Sequence, residues 1–297
     1  MTALKVHIGA HKTGTSLLQG ILSNIAPRLA RVGTVYDPAS RGLGAFVKNN
    51  SPLSDEQVEQ CRAEIRRRQP AGAEQVVWSS ESLFGSLFGG YSNIGDVAND
   101  LARIVEGLFD SVTIVAYTRA QEQLVESTYQ QHIKQGGQQG FQEFMDGLGG
   151  SPYRWDGLLD RYADIFGREH LCVRPFESIR DPEVDFVGEY MECLGVPLKF
   201  QVDVSQLPVS NPSLSNAGLE ILRRSSSVLD DQERYRLREF LERSFARRPG
   251  ERLEAFPLEQ REKLMQAYRE SNEALFEKYL RPAGYDTPRY RKAYGLE

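Results

Sequence analysis

The stretch VHIGAHKTGTSLL, residues 6–18, combines residue types that can bind an anion with several oxygen atoms. Its candidate contacts are Gly9, Lys12, Thr13, Gly14, Thr15 and Ser16. Glycine lets the backbone approach a ligand closely, lysine supplies a positive charge, and the hydroxyl groups supply hydrogen-bond donors. An apolar run precedes these residues and an apolar helical pattern follows them, so free N–H groups at the start of a helix would face the ligand. The stretch therefore predicts a binding site for a phosphate or sulfate group.

This loop differs from the Walker A motif of ATP- and GTP-binding proteins. Walker A places its lysine directly after a glycine in G-x-x-x-x-G-K-[ST], whereas Lys12 precedes Gly14 in KTGT. The apolar stretch 111–118 is followed by Arg119 and not by an aspartate that could bind magnesium. Three alternatives stay open: a kinase that uses ATP and magnesium, a non-catalytic nucleotide-binding protein, and an ordinary strand-to-helix turn with a surface lysine.

Arg119 and Ser127 form a second candidate anion site in YTRAQEQLVESTYQQ. The arginine ends an apolar strand, and positions eight apart on a helix fall near one face, so the arginine can reach back toward the serine. A guanidinium group binds phosphate bidentately, and a hydroxyl group adds one further hydrogen bond. The alternative is an arginine at the end of the sheet and a serine on a solvated helix face.

Glu81 and His11 are the candidate proton acceptors. Glu81 follows the short strand 75–78 in WSSESLF, and the carboxyl ends of parallel strands face the ligand crevice. We therefore expect Glu81 to lie near Lys12, with a helix-capping or ion-paired glutamate as the alternative. His11 flanks Lys12 and is the second candidate. No H-x-x-x-H or H-E-x-x-H pair occurs, so we expect no zinc site.

Alternating strand and helix signals must position these residues. The predicted strands are residues 4–8, 75–78, 111–118 and 170–176, and the predicted helices are 16–29, 55–68, 97–108, 121–134, 152–166 and 181–195. Charged amphipathic helices fill most of 214–279, and GGQQG, residues 136–140, is predicted to be a mobile loop. This order predicts an α/β, P-loop-like, three-layer fold with a central parallel sheet, helices on both faces and a helical C-terminal portion. We predict one domain, 1–297, with an α/β core (1–195) and a mainly helical extension (196–297).

The segment HIGAHKTGTS resembles the 5′-phosphosulfate-binding loop of sulfotransferases that use 3′-phosphoadenosine 5′-phosphosulfate (PAPS). It is especially similar to that of bacterial members with a K-T-G-T core, and the resemblance extends over residues 4–195. It implies a nucleotide-binding core, PAPS as co-substrate without a metal, and transfer of the sulfonyl group to an acceptor hydroxyl. The implied acceptor is a carbohydrate first, with a lipid or a secondary metabolite as alternatives. The loops 136–140 and 208–216 and the C-terminal helices are expected to shape the acceptor pocket.

The resemblance also implies a role for individual residues. Lys12 corresponds to the lysine that stabilises the bridging oxygen, and Arg119 and Ser127 match the family's 3′-phosphate site. Phe176, in VRPFESIRDPE, matches an aromatic residue that packs on the adenine in some members, with ordinary core packing as the alternative. Glu81 matches the base of glycan sulfotransferases. The chain lacks the late R-K-G-x-x-G-x-W-K loop and the catalytic histidine of aryl and steroid sulfotransferases, so part of the 3′-phosphate site stays undefined.

Composition restricts the compartment and the partners. The net charge of −5 and the pI near 5.6 argue against non-specific nucleic-acid binding. Cys61, Cys172 and Cys193 are far apart and form no C-x-x-C pair, so we expect no disulfide framework and a reducing compartment. No signal peptide or membrane span is visible, which predicts a cytoplasmic protein. The oligomeric state stays open, a homo-oligomer included.

Overall fold

The computed structural model describes residues 2–69, 72–149, 152–196, 213–248 and 250–297. Its strands are β1 (Ala3–His7), β2 (Thr34–Tyr36), β3 (Gln75–Ser79), β4 (Ser111–Thr118) and β5 (Leu171–Pro175). Its helices are α1 (Thr15–Ala30), α2 (Ser40–Asn50), α3 (Asp55–Arg68), α4 (Ile94–Val105), α5 (Gln121–Lys134), α6 (Phe141–Leu148), α7 (Trp155–Phe166), α8 (Phe186–Cys193), α9 (Asn216–Ser225), α10 (Asp231–Ser244), α11 (Leu258–Leu275) and α12 (Pro288–Ala293). Short 3₁₀ turns follow β3 at Glu81–Phe84 and Leu87–Gly89, and follow β5 at Phe176–Arg180.

The five strands form one parallel sheet in the order β2-β3-β1-β4-β5. The strand β1 is central, and its Val6 lies between Trp78 of β3 and Ile114 of β4. Because all strands run in one direction, their carboxyl ends meet at one edge of the sheet. The Lys12 loop, Glu81, Arg119 and Phe176 all follow strands at this edge.

Helices cover both faces of the sheet, which confirms the predicted fold class. Alternate residues of each strand point to opposite faces. Trp78 and Ile114 belong to a buried cluster that includes residues of α4 and α7. Val77 and Val115 belong to a second cluster, formed with α1 and α8. Helices packed on both faces of the sheet therefore hold the strands and their carboxyl ends in place.

Several elements differ from the sequence prediction. The strand β2 has only three residues, and α2 contains two glycines in SRGLGAFVKNN, so neither gives a clear periodic signal. The helix predicted from residue 181 begins at Phe186, because the Asp185 carboxylate caps it by accepting from the Gly188 N–H. The helix predicted from residue 152 begins at Trp155. Residues 208–212 of the predicted pocket loop lie outside the described residues.

The expectation of no disulfide was wrong for one pair. Cys172 of β5 and Cys193 of α8 are joined by a disulfide with a Cα–Cα distance of 5.8 Å. Their separation of 21 residues gave no signal in the sequence, because the packing of α8 beside β5 brings them together. The cysteines therefore give no support to a reducing compartment. Cys61 is free and buried. Within the described ranges, no helix is both long and apolar enough to cross a membrane.

Candidate active site

The loop between β1 and α1 is tightly folded. Lys12 has a φ angle of 67°, which is uncommon for a residue with a side chain, and Gly14 has a φ of 81°. A Cβ atom on Gly9 would lie 2.6 Å from Oγ1 of Thr15, so only glycine fits there. Left-handed residues in a loop ahead of a helix are typical of concave backbone sites that bind anions.

The N-terminus of α1 opens onto this loop. Its N-cap residue, Gly14, has no side chain that could accept a hydrogen bond from the first-turn N–H groups. The buried Oγ1 of Thr15 has no hydrogen-bond partner within the described part of the chain, and Ser16 is exposed. Thr13 is buried, and its hydroxyl donates to the Ala10 carbonyl at 2.5 Å, so it stabilises the loop. The hydroxyls left for a ligand are those of Thr15 and Ser16.

Lys12 lies in a group of positive charges. Its Nζ donates to Oε1 of Gln131 at 3.4 Å. Burial lowers the pKa of Lys12, the charges of Lys134 and Arg119 lower it further, and only Glu81 raises it. An ammonium group among other cations gains from an anion placed beside it. A local positive site therefore exists in a chain with a negative net charge.

Arg119 is attached directly to the loop. Its Nη1 donates to the Lys12 carbonyl at 2.7 Å, and its own carbonyl accepts from Nε1 of Trp155 at 2.8 Å. Its buried Nε has no partner among the described residues. Burial lowers the pKa of Arg119, and the Glu177 carboxylate raises it. The guanidinium group thus keeps one inward-facing donor while it holds the loop in place.

Phe176 lies on the loop and beside Arg119. A Cβ atom on Gly14 would lie 2.8 Å from Cε2 of Phe176, so ring and backbone are in close contact. The ring centroid is 5.3 Å from Cζ of Arg119. Phe176 is only half-buried, and the accessible part of its ring is available to a flat ligand group.

Ser127 is half-buried on α5, and no hydrogen bond joins it to Arg119 in the described structure. Gln131, four residues later on the same helix face, is the residue that contacts Lys12. The sequence analysis missed Gln131. Its spacing of four residues from Ser127 was the signal that could have identified it.

The two candidate proton acceptors differ in electrostatic environment. Burial raises the pKa of Glu81, while the charges of Lys12 and Lys48 lower it. The charge of Lys12 thus acts on Glu81, which follows β3 at the same edge of the sheet. Burial lowers the pKa of His11 to about 4, with Lys48 and Lys12 lowering it further. The Nδ1 atom of His11 is 3.5 Å from the Tyr91 hydroxyl oxygen. The carboxylate is therefore the stronger base of the two near neutral pH.

A polar network binds the residues on either side of Arg119, Thr118 and Ala120, and the sequence analysis missed it. The Glu177 Oε1 atom accepts from the Ala120 N–H at 2.9 Å, and Glu177 Oε2 accepts from the Tyr294 hydroxyl at 3.1 Å. The Tyr294 hydroxyl also bonds to Oγ1 of Thr118 at 2.8 Å. Tyr294 is 176 residues from Thr118, so no local pattern could reveal the contact.

Among the described residues, no group of three or more His, Cys, Asp or Glu side chains could hold a metal ion.

Comparisons with known proteins assign the chain to no family. No protein-family model matches the chain. A protein of uncharacterised function from Archaeoglobus fulgidus is 27% identical over 174 residues, which cover 56% of this chain and 45% of that protein. The matched segment thus spans less than half of the archaeal relative. A crystal structure of a sulfotransferase from Alicyclobacillus acidocaldarius aligns with a TM-score of 0.47 and 19% identity, over 69% of this chain and 85% of that chain.

Proposed function

We propose that the protein is a sulfotransferase that moves the sulfonyl group of PAPS to an acceptor hydroxyl and leaves adenosine 3′,5′-bisphosphate. The observation that carries this proposal is the left-handed Lys12–Gly14 loop, with its open helix N-terminus and its lysine among other cations. The resemblance of HIGAHKTGTS to a 5′-phosphosulfate-binding loop supports a phosphosulfate as the anion.

The residues of the site fit such a nucleotide. Oγ1 of Thr15 and Nε of Arg119 are buried donors without a partner in the described structure, and each would gain one from a phosphate oxygen. When bound, PAPS supplies an activated sulfonyl group on its 5′-phosphate. The loop N–H groups, Thr15 and Ser16 hold that phosphate. Arg119, assisted by Ser127, holds the 3′-phosphate, and the Phe176 ring packs on the adenine.

Lys12 and Glu81 perform the chemistry in this proposal. The Lys12 ammonium neutralises the negative charge that grows on the leaving phosphate oxygen as the sulfonyl group departs. Glu81 accepts the proton of the acceptor hydroxyl. Its raised pKa makes it a better proton acceptor than an exposed glutamate, while the charges of Lys12 and Lys48 favour its ionised form. His11, with a pKa of about 4, is the weaker candidate.

Ligand-dependent thermal stability tests the proposal. Adenosine 3′,5′-bisphosphate without magnesium should raise the melting temperature, because ligands that bind only the folded state stabilise it. ATP with magnesium should have a much smaller effect. Stabilisation by ATP and magnesium alone would favour a kinase. Stabilisation by the bisphosphate without sulfate transfer to any acceptor hydroxyl would favour a non-catalytic nucleotide-binding protein.

A further inference from the structure

An open cleft of about 750 Å³ lies at the C-terminal end of α5. Its lining residues come from the 3₁₀ turn Leu87–Gly89, the end of α5, the loop 136–140 and α6; they are Phe88, His132, Gln135, residues 136–139 and Glu143. The volume lies in the range of about 300–1,000 Å³ that is usual for small-molecule sites, and the polar lining suits a polar ligand.

The cleft adjoins the proposed site of transfer. Gln131 contacts Lys12, and Gln135 follows one helical turn later, about 6 Å along the helix axis. The opposite wall is formed by Phe88, whose turn comes shortly after the one that begins at Glu81. Both walls are therefore continuous with segments that hold Lys12 and the proposed base.

Hydrogen bonds hold the loop 136–140, which the sequence predicted to be mobile. The Tyr129 hydroxyl donates to the Gln139 carbonyl at 3.2 Å, and Nη1 of Arg223 donates to the Gln138 carbonyl at 2.9 Å. The Gly137 N–H donates to the His132 carbonyl at 2.9 Å, and a Cβ atom on Gly137 would lie 2.2 Å from the His132 ring. The cleft is thus formed before a ligand arrives, which limits the entropy lost on binding.

The lining favours one class of acceptor. Phe88 is 39% exposed, and its ring can pack against the C–H face of a saccharide. Gln135 and Gln138 carry carboxamides, which donate and accept hydrogen bonds as vicinal hydroxyls do, whereas the Gln139 Oε1 atom already bonds to Nε2 of His132. The lining residues include Glu143 and no lysine or arginine, while the guanidinium groups of Arg223 and Arg234 lie beside the loop 136–140, so the charges around the cleft are mixed and do not select an acceptor by its charge. With one accessible ring, the cleft offers little apolar surface to a steroid or a lipid chain.

We propose that this cleft binds the acceptor and that the acceptor is a saccharide, packed on Phe88 and hydrogen-bonded by Gln135 and Gln138. The inference rests on the proposed sulfotransferase function. In the reaction, a saccharide oxygen forms the new O–S bond, the S–O bond to the 5′-phosphate breaks, and the hydroxyl proton passes to Glu81.

Labelled PAPS and a defined set of acceptors test the cleft. We expect transfer to at least one of methyl glucoside, methyl galactoside and methyl mannoside, and weaker transfer to 1-hexanol and 2-naphthol. Phe88→Ala should raise the KM for the saccharide about tenfold. It should leave the affinity for adenosine 3′,5′-bisphosphate unchanged. The matched control is Phe240→Ala, at an exposed ring on α10 outside the cleft, and its KM should equal that of the wild type.

Glu143→Gln provides a second variant at an exposed position, where folding is not at risk. It should increase transfer to methyl glucuronide several-fold relative to methyl glucoside, because it removes the one carboxylate of the lining and leaves Arg223 and Arg234 beside the loop. The acceptor proposal is overturned if 1-hexanol or 2-naphthol is the best acceptor, if no saccharide is sulfated, or if Phe88→Ala and Phe240→Ala have equal KM values. A wild-type protein that binds no bisphosphate would instead count against the sulfotransferase function itself.

Discussion

Replacement of Lys12 separates its contribution to the backbone from its contribution to catalysis. Lys12 has a φ of 67°, and the left-handed conformation costs a residue with a Cβ atom about 1 kcal/mol. Lys12→Ala keeps this cost, whereas Lys12→Gly removes it. We therefore expect the glycine variant to be more stable than the alanine variant by about 1 kcal/mol, or about 2 °C in melting temperature.

Both variants should lose most of the sulfate transfer. Each removes the group that neutralises the leaving oxygen, and the loss of one such contact is worth about 3–4 kcal/mol, or roughly 10²- to 10³-fold in rate. Burial and neighbouring cations lower the pKa of Lys12, so the charged ammonium group decreases the free energy of unfolding. Lys12→Gly should therefore melt above the wild type while it is nearly inactive.

Differential scanning calorimetry and single-turnover transfer from labelled PAPS measure the two effects. Lys263→Ala, which removes an exposed lysine on α11, is the control for the loss of a positive charge. A glycine variant that melts below the alanine variant would show that residue 12 is not left-handed. An alanine variant that transfers sulfate within threefold of the wild-type rate would refute the role of the lysine.

Two further variants test the remaining groups of the site. Arg119→Ala should weaken both adenosine 5′-phosphate and adenosine 3′,5′-bisphosphate, because Arg119 also holds the Lys12 loop, but the bisphosphate should lose about 10- to 100-fold more affinity, since charge-assisted bonds contribute roughly 1.5–3 kcal/mol each; equal losses in calorimetry would reject the 3′-phosphate assignment. Glu81→Gln should lower turnover about 10²- to 10⁴-fold and leave bisphosphate affinity nearly unchanged. In the wild type, kcat/KM should rise with pH through the raised pKa of Glu81, and this acid limb should vanish in Glu81→Gln. If the limb persists there and vanishes in His11→Ala, the histidine is the base.

The sequence predicted the central part of the fold well, because its signals are local. The helices α3 and α5 and the strand β4 have the predicted bounds. A capping box at Ser54 marks the start of α3, and β4 is a short, mainly apolar run. The three-residue β2 and the glycine-containing α2 gave no such pattern. Their positions depend on contacts with β3 and with the turn that begins at Glu81.

The sequence predicted which residues of the candidate site follow the ends of strands. A parallel sheet brings Lys12, Glu81 and Arg119 to one edge, so their proximity follows from the order of elements. The individual partners do not follow from it. The contact of Lys12 with Gln131 depends on how α5 packs beside the loop, and the contact of Phe176 with Gly14 depends on the turn after β5. Such contacts are set by tertiary packing, which composition and periodicity do not encode.

The contacts of Tyr294 have a consequence for the order in which the site is completed during synthesis. The Lys12 loop leaves the ribosome long before Tyr294, which bonds to Thr118 and Glu177 beside Arg119. Asn272 of α11 fixes Tyr294 further by donating to its carbonyl at 2.8 Å. Contacts over such separations form late in folding, because a long chain segment must first be closed. A nascent chain that ends before residue 294 thus carries every proposed catalytic residue but lacks the Tyr294 contacts beside Arg119, and we expect the proposed nucleotide site to bind more weakly until these contacts form.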